Sequence, residues 1–186
     1  RLIDCMCLKL QGKGMLQQIA FSTRSTFSKS IMISVGVSKL GCTRLIFVDP
    51  GVKVNGAYYR DVVLSQLLTD VKNASGEYYI FQQDSVPAHR ARDTIALLQR
   101  ETPAFIPPDV WPPNSPDLNP VDYKIWSVMQ HRVYRKKVQD VAELRGRLIE
   151  VWAGMEQTII DDAIDQWRRR LRGCVAAKGG HFEHSF

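Results

Sequence analysis

Asp84 and Asp122 are the two side chains whose setting points most directly to chemistry. Asp84 follows the apolar run Tyr78-Tyr79-Ile80-Phe81 and two glutamines. It should therefore lie just past the carboxyl end of a strand buried on both faces, the edge at which open α/β sheets place their ligands. Asp122 closes the stretch Trp111 to Val121. With Asn119 as N-cap and Pro120 as first helical residue, it takes the third helical position, where the helix dipole favours a carboxylate and is expected to set its charge at neutral pH. One acid closing a strand and one opening a helix are rigidly mounted hard-oxygen donors, suited to sharing the divalent ions that phosphoryl-transfer sites use. Each also has a plain structural reading, as a turn residue after a strand and as a helix starter.

Other candidates carry weaker patterns. His89 could approach a phosphate or a metal-bound water, or simply pack at a helix start. Trp111 and Trp126 could stack on bases, although a Trp on an amphipathic helix usually fills core. Cys174 with His181 and His184 offers three zinc donors but no CxxC pair. Among the basic residues, Lys124, His131 and Arg135 are spaced by seven and four, hence expected on one helix face, with Arg132, Lys136 and Lys137 close by. Arg168, Arg169, Arg170 and Arg172 form a second cluster. Solvated helix faces look like this as well. The first cluster nevertheless begins two residues after Asp122, so one helix would offer both a metal ligand and cations for phosphates.

Those residues need elements to hold them. Leu2 to Leu10, Ile31 to Val37 and Leu45 to Val48 are short, β-rich runs broken at Gly36, Gly41 and Asp49-Pro50-Gly51, which predicts an antiparallel meander. Gly12 to Lys29 has no period and is read as a loop. From Tyr58 the period changes: Val63, Leu67 and Val71 recur every four residues beside Leu64 and Leu68, an amphipathic helix ending near Asn73 to Gly76. A second helix is expected from about Arg90 to Arg100 with Ile95 and Leu98 inward, then a short strand at Ala104-Phe105-Ile106. After the Pro-rich stretch to Pro120, three helices follow, with inward sets Val121, Ile125, Val128, Met129; Val141, Leu144, Leu148, Trp152; and Ile160, Ile164, Trp167, Leu171. Together these describe a mixed sheet covered by helices.

The 186 residues, 45% hydrophobic and 24% charged, suffice for one good core and are too apolar for a disordered tail. No run reaches the roughly 18 apolar residues of a membrane span, so a soluble protein is expected. The net charge of +6 suits a polyanionic partner. Four scattered cysteines argue against a disulfide framework and for a reducing compartment. The chain opens at Arg1 without the features of a signal peptide and is expected to be a piece of something longer.

The motifs FQQDSVPAH (Phe81 to His89) and WPPNSPDLNPVDYKIW (Trp111 to Trp126) strongly resemble the catalytic domain of mariner-like DDE/D transposases. Ser30 to Tyr59 and the terminal GGHFEH are also similar, so the resemblance spans about Ser30 to Phe186. It implies a ribonuclease-H-like α/β fold with a helical C-terminal part, and a nuclease and strand transferase dependent on Mg²⁺ or Mn²⁺. Residues 1–29 would form a divergent or truncated first-strand region and residues 30–186 the catalytic domain. Asp84 would be the second catalytic acid and Asp122 the third, with 37 residues between them, as in the all-Asp variety. Implied partners are double-stranded DNA, both transposon ends and target, touched by Lys124, His131, Arg132, Arg135 and Lys136, and a second copy in a homodimer, in the nucleus and away from membranes. The family's first Asp, usually followed by Glu and Lys, has no match before Ser30. Asp4 is the acid nearest that role, while Asp49 resembles a turn residue after the third strand. A site with two acids alone is short of ligands for two ions. A decayed or repurposed copy that binds DNA without cutting it is therefore the rival reading.

Overall fold

The computed structural model describes residues 2–11, 30–76, 78–112, 115–178, 180 and 182, with backbone alone at 2–11 and 30. The loop expected at Gly12 to Lys29, and His181 and His184, lie outside the described residues. Five strands form one sheet: β1 (Leu2–Gln11), β2 (Ser30–Ser38), β3 (Gly41–Cys42), β4 (Ile46–Val48) and β5 (Ile80–Gln83). β2 runs antiparallel to β1, β3 and β4, as the meander requires, and β5 lies parallel to β1 on its other side. A single parallel bridge from Phe81 to Phe105 extends this edge, in place of the expected strand at residues 104–106. Gly41 and Gly51 take positive φ at the two turns of the meander, a conformation that side-chain-bearing residues rarely adopt. Asp49 accepts the Val52 N–H in the second of these, after β4, and so is a turn residue.

Alternation along β2 builds two cores. Ile31, Ile33, Val35 and Val37 face Val121, Ile125, Met129, Leu148 and Ile160, while Met32 packs on the opposite side with Val48, Leu64 and Leu67. The helix predicted from Tyr58 runs from α1 (Gly56–Tyr58) through a π-helical turn, Tyr59–Leu64, into α2 (Ser65–Ser75), and its predicted inward residues are buried. With α3 (Arg92–Glu101) it covers one face of the sheet. On α3 the fully buried pair is Thr94 and Leu98, with Ile95 only half-buried, because the Thr94 hydroxyl donates to the Ala88 carbonyl. A second π-helical turn, Val121–Ile125, leads into α4 (Trp126–Val133), and with α5 (Val141–Ala153) and α6 (Gln157–Ala176) it covers the other face. Trp152 Nε1 donates to the Thr43 carbonyl and Gln157 Nε2 to that of Ser38, fastening these helices to the sheet edge.

β5 is not buried on both faces throughout. Tyr78 and Ile80 are exposed, whereas Tyr79, Phe81, Gln82 and Gln83 are buried. Its continuous apolar run marks a strand whose entrance is open on one side and whose exit, next to Asp84, is enclosed. Among the described residues no helix is long and apolar enough to cross a membrane.

Candidate active site

Asp84 is mounted by a tight turn. Its Oδ1 accepts the Val86 N–H at 3.3 Å, and the Val86 carbonyl accepts the N–H groups of His89 and Arg90. Beneath the turn, Tyr59 Oη donates to Gln83 Oε1 at 2.8 Å and Gln83 Nε2 donates to the His89 carbonyl at 3.1 Å. Tyr59 belongs to the first π-helical turn and is fully buried, so the helix on the far side of the sheet sets the position of the acid.

Asp122 is mounted from the opposite side. The Asn119 carbonyl accepts from Asp122 N and Tyr123 N, and its side-chain Oδ1 accepts from Val121 N at 3.0 Å, so Asn119 caps the helix start as expected. Val121 and Ile125 are fully buried and anchor the turn in the core. The Arg170 guanidinium lies 3.8 Å over the Tyr123 ring, and Arg170 donates to the Asp117 carbonyl, bracing the segment from α6.

The two acids meet. Asp84 and Asp122 line one cavity of about 380 Å³ together with Ser85 and Arg90, and Val86, Trp111 and Pro116 supply an apolar wall. The charge of Asp122 is not set by its helix position. Burial first, then the Asp84 and Asp117 carboxylates, push its carboxyl up to about 7, because desolvation and like charge outweigh a dipole effect that falls off within one turn. Two crowded, partly desolvated carboxylates are a donor set of hard oxygens that a divalent cation fits in kind. In number the set is small: among the described residues no group of three or more His, Cys, Asp and Glu is arranged to hold a metal ion. Asp4 lies on β1 in register with Gln82, two positions before Asp84 on the neighbouring parallel strand, and its side chain is outside the described residues.

The basic cluster separates into parts. α4 ends at Val133, so Arg135 and Lys136 lie in the turn beyond it and do not share a helix face with Lys124 and His131. Both are exposed. Arg132 pairs with Glu156 at 2.7 Å and donates to the Gly154 carbonyl. Lys124 lines a separate hollow with Asp162, Asp165 and Arg169, and His131 is exposed on α4. Trp126 is buried in core, as is usual for its kind of position. Trp111 is also buried, stacked on Trp167 with centroids 6.4 Å apart, while one side lines the cavity. Cys174 packs against the small apolar cluster of Trp111, Leu118 and Phe182. Sequence reasoning missed Arg90, whose place in the motif directly after His89 was the available signal, and the close approach of His89 to Asp84.

No family model matches the chain. The Tcb2 transposase of Caenorhabditis briggsae is 24% identical over 143 residues, 75% of this chain and 51% of that protein. The Mariner Mos1 transposase of Drosophila mauritiana is 26% identical over 166 residues, 84% of this chain and 46% of that protein. The chain thus spans about half the length of these curated relatives. Among solved structures, the Mos1 transposase paired-end complex with left transposon end superposes with a TM-score of 0.79 at 25% identity, over 98% of this chain and 56% of that one. The catalytic domain of Mos1 mariner transposase gives 0.78 at 23% identity, over 98% and 84%. The chain's homologues are Tc1/mariner transposases, and its mixed α/β fold is the ribonuclease-H-like fold of the Mos1 catalytic domain.

Proposed function

We propose that this chain is a transposase catalytic domain that cleaves DNA and joins it elsewhere, with Asp84 and Asp122 as ligands for Mg²⁺ or Mn²⁺. The observation that carries the reading is the convergence of the two acids, with 37 residues between them in the chain, on one cavity at the carboxyl edge of β5. Solved Mos1 catalytic domains with Mn and with Mg support the choice of ion, and the Mos1 paired-end complexes support DNA as partner. When bound, divalent ions would activate an attacking oxygen and stabilise the leaving oxygen of a phosphodiester. The chain's own part is to hold those ions on carboxylates fixed by the 84–90 turn and by the Asn119 cap, to bound the site with the apolar Val86, Trp111 and Pro116 wall, and to present Arg90 to a phosphate. Lys124, His131, Arg135 and Lys136 extend the contact along the backbone without reading sequence. On this reading the protein works in the nucleus, and pairing of two transposon ends calls for a second copy.

The test is Mg²⁺- or Mn²⁺-dependent nicking of supercoiled plasmid by the chain and by Asp84→Ala. The reading expects nicking by the first alone; equal background from both removes it. A second reading, a module that binds DNA without cutting it, draws on the finding that no group of three or more His, Cys, Asp and Glu among the described residues is arranged to hold a metal ion. Asp4→Ala separates the two. Loss of nicking assigns the third ligand to Asp4, whereas salt-dependent DNA binding with no nicking by the unaltered chain favours the binding module.

A further inference from the structure

His89 has no part in the chemistry above, yet it touches one of the proposed ligands. The imidazole is 1% exposed, and its Nδ1 lies 2.5 Å from Asp84 Oδ1. A carboxylate oxygen accepts, so a hydrogen bond across this contact would be donated by Nδ1–H. The approach is close without being a well-aligned hydrogen bond. Val86 N–H reaches the same Oδ1 at 3.3 Å, while Oδ2 has no hydrogen-bond or ion-pair partner among the described residues. Both attachments therefore fall on one oxygen and leave the other for the cavity.

The ring itself is held in place. The Tyr59 ring lies against it with centroids 4.3 Å apart and planes inclined at 38°. The chain of bonds from Tyr59 Oη through the Gln83 amide to the His89 carbonyl fixes its backbone. At the far side Nε2 is buried without a hydrogen-bond partner among the described residues. A leucine would fill the same volume without burying an unmatched nitrogen, so packing alone does not account for a histidine here.

We propose that His89 is a positioning residue for the metal site: its Nδ1–H restrains Asp84 Oδ1 and thereby aims Oδ2 at a divalent cation. The inference rests on the metal-binding reading of Asp84. Removing such an outer partner typically weakens metal affinity 10–100-fold.

The test is Mn²⁺ affinity of the 186-residue chain, read by electron paramagnetic resonance, with thermal melting to certify folding. Asparagine carries its side-chain nitrogen where Nδ1 stands, and glutamine carries it where Nε2 stands. His89→Asn should keep Mn²⁺ affinity within about threefold, while His89→Gln and His89→Leu should each lose on the order of tenfold or more. If His89→Leu does not fold, the comparison of His89→Gln with His89→Asn decides. Wild-type affinity in a folded His89→Gln or His89→Leu overturns the positioning role alone, as does equal loss in His89→Asn and His89→Gln. Absence of Mn²⁺ binding by the unaltered chain removes the metal reading and this inference with it.

Discussion

Asp122 shows how far a residue's neighbours can override its local setting. Its place at a helix start is legible in Asn119-Pro120-Val121-Asp122, and the structure keeps that cap. Its proton affinity was not legible, because it depends on burial and on Asp84 and Asp117, which only the tertiary fold brings near. The consequence for stability has a definite sign. A carboxyl raised from 3.8 to about 7 on folding retains its proton in the native state where the unfolded chain has lost it. Its contribution therefore weakens the fold progressively as pH rises through that interval, and the penalty persists above it. Asp122→Asn, measured in chelator, should raise the melting temperature by a few degrees at pH 8 and change it little at pH 4. The same substitution should abolish nicking. A variant that melts no higher at pH 8 than at pH 4 relative to the parent would count against the crowding of the two acids. The approach of His89 to Asp84 was equally illegible, since it arises from the 86–90 turn and the Tyr59 ring rather than from spacing.

At the scale of elements, periodicity read well where it was long and read badly at ends. Val63, Leu67 and Val71 announced a helix that the structure extends from Gly56 to Ser75. The three C-terminal helices were equally plain from their apolar spacing. The end of α4 was not, because Tyr134-Arg135-Lys136-Lys137 contains neither Gly nor Pro to mark it, and Arg135 was carried onto a helix face it does not occupy. Both segments that mount the site include a π-helical turn, one holding Tyr59 and the other Asp122. Such turns recur at functional sites, and no composition cue marked them here. Two substitutions test the mounting. Asn119→Ala removes the side-chain cap and should cost about 1 kcal/mol in urea unfolding, with a larger fractional loss of nicking. Leu148→Ala, in the core behind β2, should cost about 2–5 kcal/mol with nicking per folded molecule retained.

For the whole molecule, net charge matters more than any one cation. With a formal charge of +6, DNA affinity should fall linearly on logarithmic axes as salt rises. Replacing exposed Arg135 and Lys136 by Ala should flatten that slope by about 2. Arg132→Ala should change it less, since its guanidinium already faces Glu156. A titration in which all three behave alike would show that pairing with Glu156 does not withhold Arg132 from DNA. The mixed sheet was legible from the early strands and the later helices, but the parallel placement of β5 beside β1 was not, because pairing partners distant in sequence leave no local trace. That placement makes β1 the middle of the sheet, bonded to β2 on one side and β5 on the other. A shortened chain starting at Ser30 would thus be torn down its centre, with two unmatched rows of peptide groups turned toward each other. Such rows are ready templates for neighbouring molecules, so the trimmed protein should precipitate where the longer one remains dispersed.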